Sequence, residues 1–275
     1  MQTIEMELNR IKANLDKWNN KEVLSSYLGL IDLTSLNSTD TDIKIESMVD
    51  KVNKFPAHFN HYPSVAAICV YPTFASVIKS KLTNKGVKIA VVGGVFPSSQ
   101  SFLNIKIEEC RIAVEQGADE VDIVLSLRHF LAGEYEEAAR EIKEIKKACG
   151  KAHLKVILET GALTPEQIEK ASLLAMEAGA DFIKTSTGKT EPAATPEAAI
   201  VMCRAIKEYH GKNGRMVGFK PAGGIVTPED AILYYAIVDT ILGKEWLNPE
   251  YFRIGASRLA NNLLTKLENK TVNYF

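Results

Sequence analysis

Leu154-Lys155-Val156-Ile157-Leu158-Glu159 and Asp181-Phe182-Ile183-Lys184-Thr185-Ser186 flank a fourteen-residue stretch, Pro165–Ala178, that reads PEQIEKASLLAMEA. The flanks are short and rich in branched apolar residues, as strands are. The middle is of helical composition and starts with proline at a first helical position. Two strands joined by a helix pair in parallel, because a parallel connection needs a crossover that a tight turn cannot supply. On either side of this stretch the same unit recurs. Strand-like runs stand at Leu30–Leu33, Val65–Tyr71, Lys88–Phe96, Glu120–Leu125, Met216–Lys220 and Phe252–Gly255, with further helical stretches at Glu134–Cys149, Pro196–His210 and Pro228–Ile241. Eight strands alternating with helices predict an α/β fold, a single-domain (β/α)8 TIM barrel, and 275 residues suit one such unit. An open doubly wound sheet is the alternative that the same alternation allows.

Ahead of the first strand, Ile4, Leu8, Ile11, Leu15 and Trp18 form an apolar stripe on an extra N-terminal helix. Such a stripe plugs the barrel bottom or joins a subunit interface, and plugging is the simpler expectation. This divides the chain into a helical extension at 1–25, the barrel at 26–265 and a tail at 266–275. The apolar fraction of 46% with 24% charged residues is that of a packed protein. Thirty-three basic against 34 acidic side chains, with no long run of one sign, argue against nucleic-acid partners. The apolar runs are too short to span a bilayer and the N-terminus lacks the apolar core of a signal peptide. Cys69, Cys110, Cys149 and Cys203 are widely spaced and read as free thiols. Together these features predict a cytoplasmic protein.

Barrel strands alternate between residues that face the helices and residues that fill the interior. In Glu120–Leu125 the helix-facing phase is Val121, Ile123 and Leu125, which turns Glu120 and Asp122 inward. The same reasoning turns Lys155, Lys184 with Phe182, and Lys220 inward. Burying so many ionisable groups costs several kcal/mol each unless they are paired, so a sequence under structural constraint alone seldom keeps them. One explanation is a buried ion-pair network. The other is catalysis, favoured because Lys184 and Lys220 end their strands at the rim where barrel active sites lie. Two ammonium groups ~6 Å apart repel by roughly 3 kcal/mol at an effective dielectric of ~20, about two pKa units, and desolvation adds to this, so one of the pair could approach a pKa of ~7–8. A neutral amine attacks carbonyls, so the pair predicts Schiff-base chemistry.

Glycine-bearing turns follow the last strands: Ser186-Thr187-Gly188-Lys189, Ala222-Gly223-Gly224 and Gly255-Ala256-Ser257-Arg258. Exposed backbone N–H groups and a helix start make a phosphate site there, with Lys189 and Arg258 as counter-charges. Gly188-Lys189-Thr190 resembles the end of a nucleotide-binding loop, but Ile183 stands where that loop needs glycine. The five histidines form no metal-binding pattern, so no metal site is expected.

These residues resemble the deoxyribose-phosphate aldolase family of class I aldolases. The resemblance is carried by Ile31-Asp32-Leu33-Thr34, Ala67-Ile68-Cys69-Val70-Tyr71-Pro72, Gly117–Asp122, Leu154–Gly161, Ala180–Lys189, Gly218-Phe219-Lys220-Pro221-Ala222-Gly223-Gly224-Ile225 and Arg253–Ser257, and it covers nearly the whole chain after residue 25. It implies Lys184 as the Schiff-base nucleophile, Lys220 as the group that depresses its pKa, and Asp122 as the proton-transfer partner with Lys155 in support. It further marks Asp32, Thr34, Cys69, Lys155, Thr187, Gly188, Lys189, Gly223, Gly224, Gly255, Ala256 and Ser257 as substrate-binding. It implies reversible cleavage of 2-deoxyribose 5-phosphate to acetaldehyde and glyceraldehyde 3-phosphate, no cofactor, small-molecule sugar phosphates and aldehydes as partners, and leaves room for a homo-oligomer. Another Schiff-base sugar-phosphate aldolase, or a non-catalytic sugar-phosphate-binding barrel, are the competing readings. Two departures stand out: Gly94–Ser99 replaces the family's N-F-P-H-G, and the chain ends Asn273-Tyr274-Phe275 where members often end in tyrosine.

Overall fold

The computed structural model describes residues 2–275. In chain order the elements are α1 (Gln2–Lys12), α2 (Lys21–Ser26), β1 (Ile31–Thr34), α3 (Asp42–His58), β2 (Ala67–Val70), α4 (Ala75–Lys81), β3 (Lys88–Val92) and α5 (Leu103–Glu115). They continue with β4 (Glu120–Val124), α6 (Leu127–Leu131), α7 (Tyr135–Cys149), β5 (His153–Ile157), α8 (Pro165–Glu177), β6 (Phe182–Lys184), α9 (Pro196–Asn213), β7 (Gly218–Lys220), α10 (Pro228–Ile241), β8 (Ile254–Ala256) and α11 (Leu259–Glu268). Every strand pair is parallel, in the order β7-β6-β5-β4-β3-β2-β1-β8. Parallel bridges at Phe219–Phe252 and Ala222–Gly255 bring the two ends together, so the sheet closes as a barrel and the open-sheet alternative falls.

The helices start as their sequences dictate. Thr164, Thr195 and Thr227 each cap a helix whose first residue is proline. The threonine hydroxyl accepts an otherwise orphaned backbone N–H, and proline has no N–H to lose there. In α8 and α10 the cap is reciprocal, with Gln167 and Asp230 accepting the cap residue's own N–H. Outward-facing strand residues such as Ile68, Val91, Val121, Ile123, Leu154, Val156 and Ile183 are buried in the shell between sheet and helices.

Several strands are shorter than the apolar runs that announced them. The third stops at Val92 because Gly94 and Val95 turn away with φ of +63° each, so Lys88–Phe96 is not one strand. At its start β7 holds Gly218 because the Phe182 ring fills the space: a Cβ there would lie 2.3 Å from a ring carbon. The N-terminal helix corrects an expectation. Leu8 and Ile11 are buried, but α1 packs on α9 and α10 outside the barrel and does not plug its bottom. Trp18 extends this packing by donating its indole N–H to Asp239 at 2.8 Å on α10. The stripe reported burial correctly; which surface buries it is a tertiary matter.

Candidate active site

Alternation along the strands brings the charged residues together. In-register pairing sets Asp122 beside Lys155 and Lys184 beside Lys220, so side chains on one pleat phase enter the barrel at matching heights. Asp122 is the hub. Its Oδ2 accepts from Lys184 Nζ at 2.8 Å and from Lys220 Nζ at 2.7 Å, while Oδ1 lies 3.2 Å from Lys155 Nζ. Lys155 also pairs with Glu120, and Lys220 with Asp32 at 2.5 Å. Arg253 spans the bottom, with one Nη 2.7 Å from Asp32 and the other 2.8 Å from Glu120. The Phe182 ring lies 5.7 Å from Lys155 Nζ and 5.9 Å from the Arg253 guanidinium.

Burial alone would raise all three carboxyls. The surrounding cations outweigh it: Lys220 and Arg253 hold Asp32 below the ordinary carboxylate range, Lys155 and Arg253 do so for Glu120, and three lysines hold Asp122 well below it. Burial likewise pulls Lys155 and Lys220 down, but Asp122 with Glu120 raises the first and Asp122 with Asp32 raises the second. The lysine pair is therefore not bare, as simple repulsion between two ammonium groups would require. A shared carboxylate stands between them, and Lys220 is a firmly charged partner.

Above this network lies a cavity of about 260 Å³. Of the charged interior residues, Lys184 is the one on its wall. Thr34, Thr187, Gly188, Lys189, Gly223, Gly224, Gly255, Ala256 and Ser257 line it too, at the C-terminal ends of β1 and β8 and in the loops after β6, β7 and β8. Gly223 (φ +89°) approaches the Gly188 loop so closely that a Cβ would lie 2.6 Å from the Ala193 Cβ, which leaves no room for a side chain. Arg258 stands exposed at the start of α11, on the same wall. Glycine-bearing turns and two cationic residues thus share one cavity wall with Lys184.

Asp32, Cys69 and Lys155 are not brought to the wall. All three are fully buried beneath it, Asp32 and Lys155 as members of the ion network. Cys69 joins Ala67, Ala90, Val92 and Leu36 in the apolar part of the interior, where Tyr71 and Phe96 of the Gly94–Ser99 loop cover it. Tyr274 lies elsewhere: its hydroxyl donates to the Lys51 carbonyl on α3 at 2.7 Å, and its ring packs on Phe55 and Phe59. Leu36 and Asn37, in the loop after β1, were missed as wall residues. Their signal was position alone, since every loop at this rim borders the site. Arg253 was missed as a network member because no alternation in Phe252–Gly255 assigned it a face.

Comparison with known proteins agrees with this geometry. Residues 27–244 match the model of the family described as DeoC/LacD family aldolase. A putative deoxyribose-phosphate aldolase of Caenorhabditis elegans is 42% identical over 272 residues, covering 97% of this chain and 88% of that protein. The Homo sapiens deoxyribose-phosphate aldolase is 43% identical over 245 residues, covering 85% of this chain and 77% of that protein. A deoxyribose phosphate aldolase from Aeropyrum pernix, whose structure is described as a unique tetramer, superposes with a TM-score of 0.70 at 25% identity over 94% of this chain and 95% of that one. With four-fifths of its length matched by one family model and about two-fifths of its residues shared with these relatives, the chain belongs to the DeoC/LacD family of aldolases.

Proposed function

We propose that this protein is a deoxyribose-phosphate aldolase, which cleaves 2-deoxyribose 5-phosphate reversibly to acetaldehyde and glyceraldehyde 3-phosphate. The observation that carries this reading is the placement of Lys184: one amine of the buried network looks into the cavity, and glycine-rich turns suited to a phosphate face it.

Charge counting supports Lys184 as the nucleophile. Four cations (Lys155, Lys184, Lys220, Arg253) meet three carboxylates (Asp32, Glu120, Asp122), an excess of one positive charge. Lys155, Lys220 and Arg253 each pair with two carboxylates, whereas Lys184 pairs with one. Releasing the proton of Lys184 therefore balances the network while disturbing the fewest ion pairs. The neutral amine adds to the C1 aldehyde of the open-chain sugar, and loss of water leaves an iminium. The iminium is the electron sink. As the C3 hydroxyl gives up its proton, the C2–C3 bond breaks, glyceraldehyde 3-phosphate departs, and the bonding pair stays on C2 as an enamine. Protonation at C2 and hydrolysis then release acetaldehyde and free the lysine. Asp122, hydrogen-bonded to both lysines beneath the cavity, shuttles protons between amine and substrate with Lys220 and a water, while Lys155 holds it in place. The phosphate rests on Gly223, Gly224 and the Gly255–Ser257 turn, with Lys189 and Arg258 offsetting its charge.

Cytoplasmic residence is supported by four cysteines that are all free. No helix among the described residues is long and apolar enough to cross a membrane. The tetrameric relative makes a homo-oligomer the expected assembly. Reduction with borohydride in the presence of acetaldehyde, followed by peptide mapping, tests the central assignment. The ethyl group is expected on Lys184, and labelling of Lys155 or Lys220 would overturn it.

A further inference from the structure

Glu159 is a buried carboxylate that the chemistry above does not use. It follows β5, one residue after Leu158, and adopts a left-handed conformation (φ +56°, ψ +59°) that residues bearing a side chain seldom take up. Among the described residues no cation lies within ion-pair distance of it. Its two oxygens are instead both given to Thr187: Oε1 accepts the Thr187 backbone N–H at 3.0 Å and Oε2 accepts the Thr187 hydroxyl proton at 2.6 Å. The same hydroxyl oxygen accepts the Lys189 backbone N–H at 3.1 Å. Thr187 lines the cavity three residues beyond Lys184, at the start of the Gly188-Lys189 turn.

A hydroxyl has one proton to donate and two lone pairs. In Thr187 the proton is committed to Glu159 and one lone pair to Lys189, which leaves a single acceptor site for the cavity. A phosphate dianion offers only acceptors, so this oxygen is the wrong partner for it. A sugar hydroxyl is the right one. We propose that Glu159 is a positioning residue that makes the Thr187 hydroxyl an obligate acceptor, so that Thr187 reads the substrate hydroxyl lying between the reacting carbon and the phosphate. This accounts for a strained, unpaired carboxylate outside the cavity: a neutral amide in its place would give Thr187 a donor, and the polarity of the contact would reverse.

The proposal rests on the aldolase reading, and the test separates the two. In the synthetic direction, with acetaldehyde as donor, kcat/KM is measured for glyceraldehyde 3-phosphate, for 3-oxopropyl phosphate, which lacks only the 2-hydroxyl, and for unphosphorylated glyceraldehyde. The wild type should prefer glyceraldehyde 3-phosphate to 3-oxopropyl phosphate by roughly 10- to 100-fold, the effect of leaving a buried acceptor unpaired. Glu159→Gln keeps an oxygen for the Thr187 N–H but turns an amide N–H toward its hydroxyl, and should reduce that preference to about threefold or less. Its preference for the phosphorylated over the unphosphorylated aldehyde should persist. Thr187→Val should erase the hydroxyl preference to the same extent, and the double variant no further. A wild type indifferent to the 2-hydroxyl, or a Gln variant that loses rate equally on both phosphorylated acceptors, would overturn the proposal while leaving the aldolase intact. No turnover of any acceptor by the wild type would remove the aldolase reading and the proposal with it.

Discussion

Arg253 and Lys184 are both cations of the barrel interior, 1% and 3% exposed, yet they sit in opposite surroundings. Arg253 enters just ahead of β8 and spends its guanidinium on Asp32, Glu120 and the Pro249 carbonyl. Lys184 ends β6, holds one carboxylate oxygen and borders the cavity. The planar guanidinium, always charged and able to bridge two carboxylates, suits the closed end. A primary amine on a flexible stem, able to lose its proton, suits the open end. The two readings of the charged interior, ion network and catalytic site, are therefore not rivals. On the proposed function, the lower part is a structural network and the upper part uses its surplus charge for chemistry.

Three measurements bear on this contrast. The largest effect is expected from Lys184→Ala, which should lower kcat for 2-deoxyribose 5-phosphate cleavage by at least about 10⁴-fold. Its unfolding free energy should stay within ~1 kcal/mol of wild type, because Asp122 keeps Lys155 and Lys220. A large stability loss would show that Lys184 is part of the lower network after all. Arg253→Met should behave in the opposite manner. Leaving Asp32 and Glu120 short of a buried counter-charge should cost about 3–5 kcal/mol in urea unfolding. Turnover per folded molecule should fall by less than about tenfold, and a greater fall at unchanged stability would place Arg253 in the chemistry.

The third measurement is the acid limb of stability. Asp32, Glu120 and Asp122 are held below their ordinary values of 3.8 and 4.5 in the folded chain. Their stabilisation is therefore complete above those values and is lost as pH falls below them, since the unfolded chain binds the protons first. Each such proton adds about 1.4 kcal/mol per pH unit to the slope. In Arg253→Met the slope below pH 4.5 should be shallower, because Asp32 and Glu120 lose the cation that lowers them. An unchanged slope would mean that the lysines alone depress these carboxyls.

Much of this was legible along the chain. Period-two alternation sufficed to turn Glu120, Asp122, Lys155, Lys184 and Lys220 inward, because a strand's side chains have only two faces and the branched residues claim one. Glycines at the ends of strands announced the loops of the cavity. Arg253 was not legible: it pairs with Asp32 and Glu120 across 221 and 133 positions, and no local pattern encodes such a meeting. Glu159 read as the end of a strand, and only its left-handed backbone beside Thr187 shows what it holds. The seat of α1 was equally hidden, since an apolar stripe fits any apolar partner.

Local sequence thus specified the elements, the inward phase of the charges and the chemistry a pair of rim lysines implies, because these depend on residues near one another in the chain. Tertiary structure settled which carboxylate each cation meets, that Asp122 stands between the two lysines, and that Lys184 alone of the four interior cations borders the cavity. Closure of the barrel sets the heights at which eight strands bring their side chains together, and those heights are a property of the whole sheet.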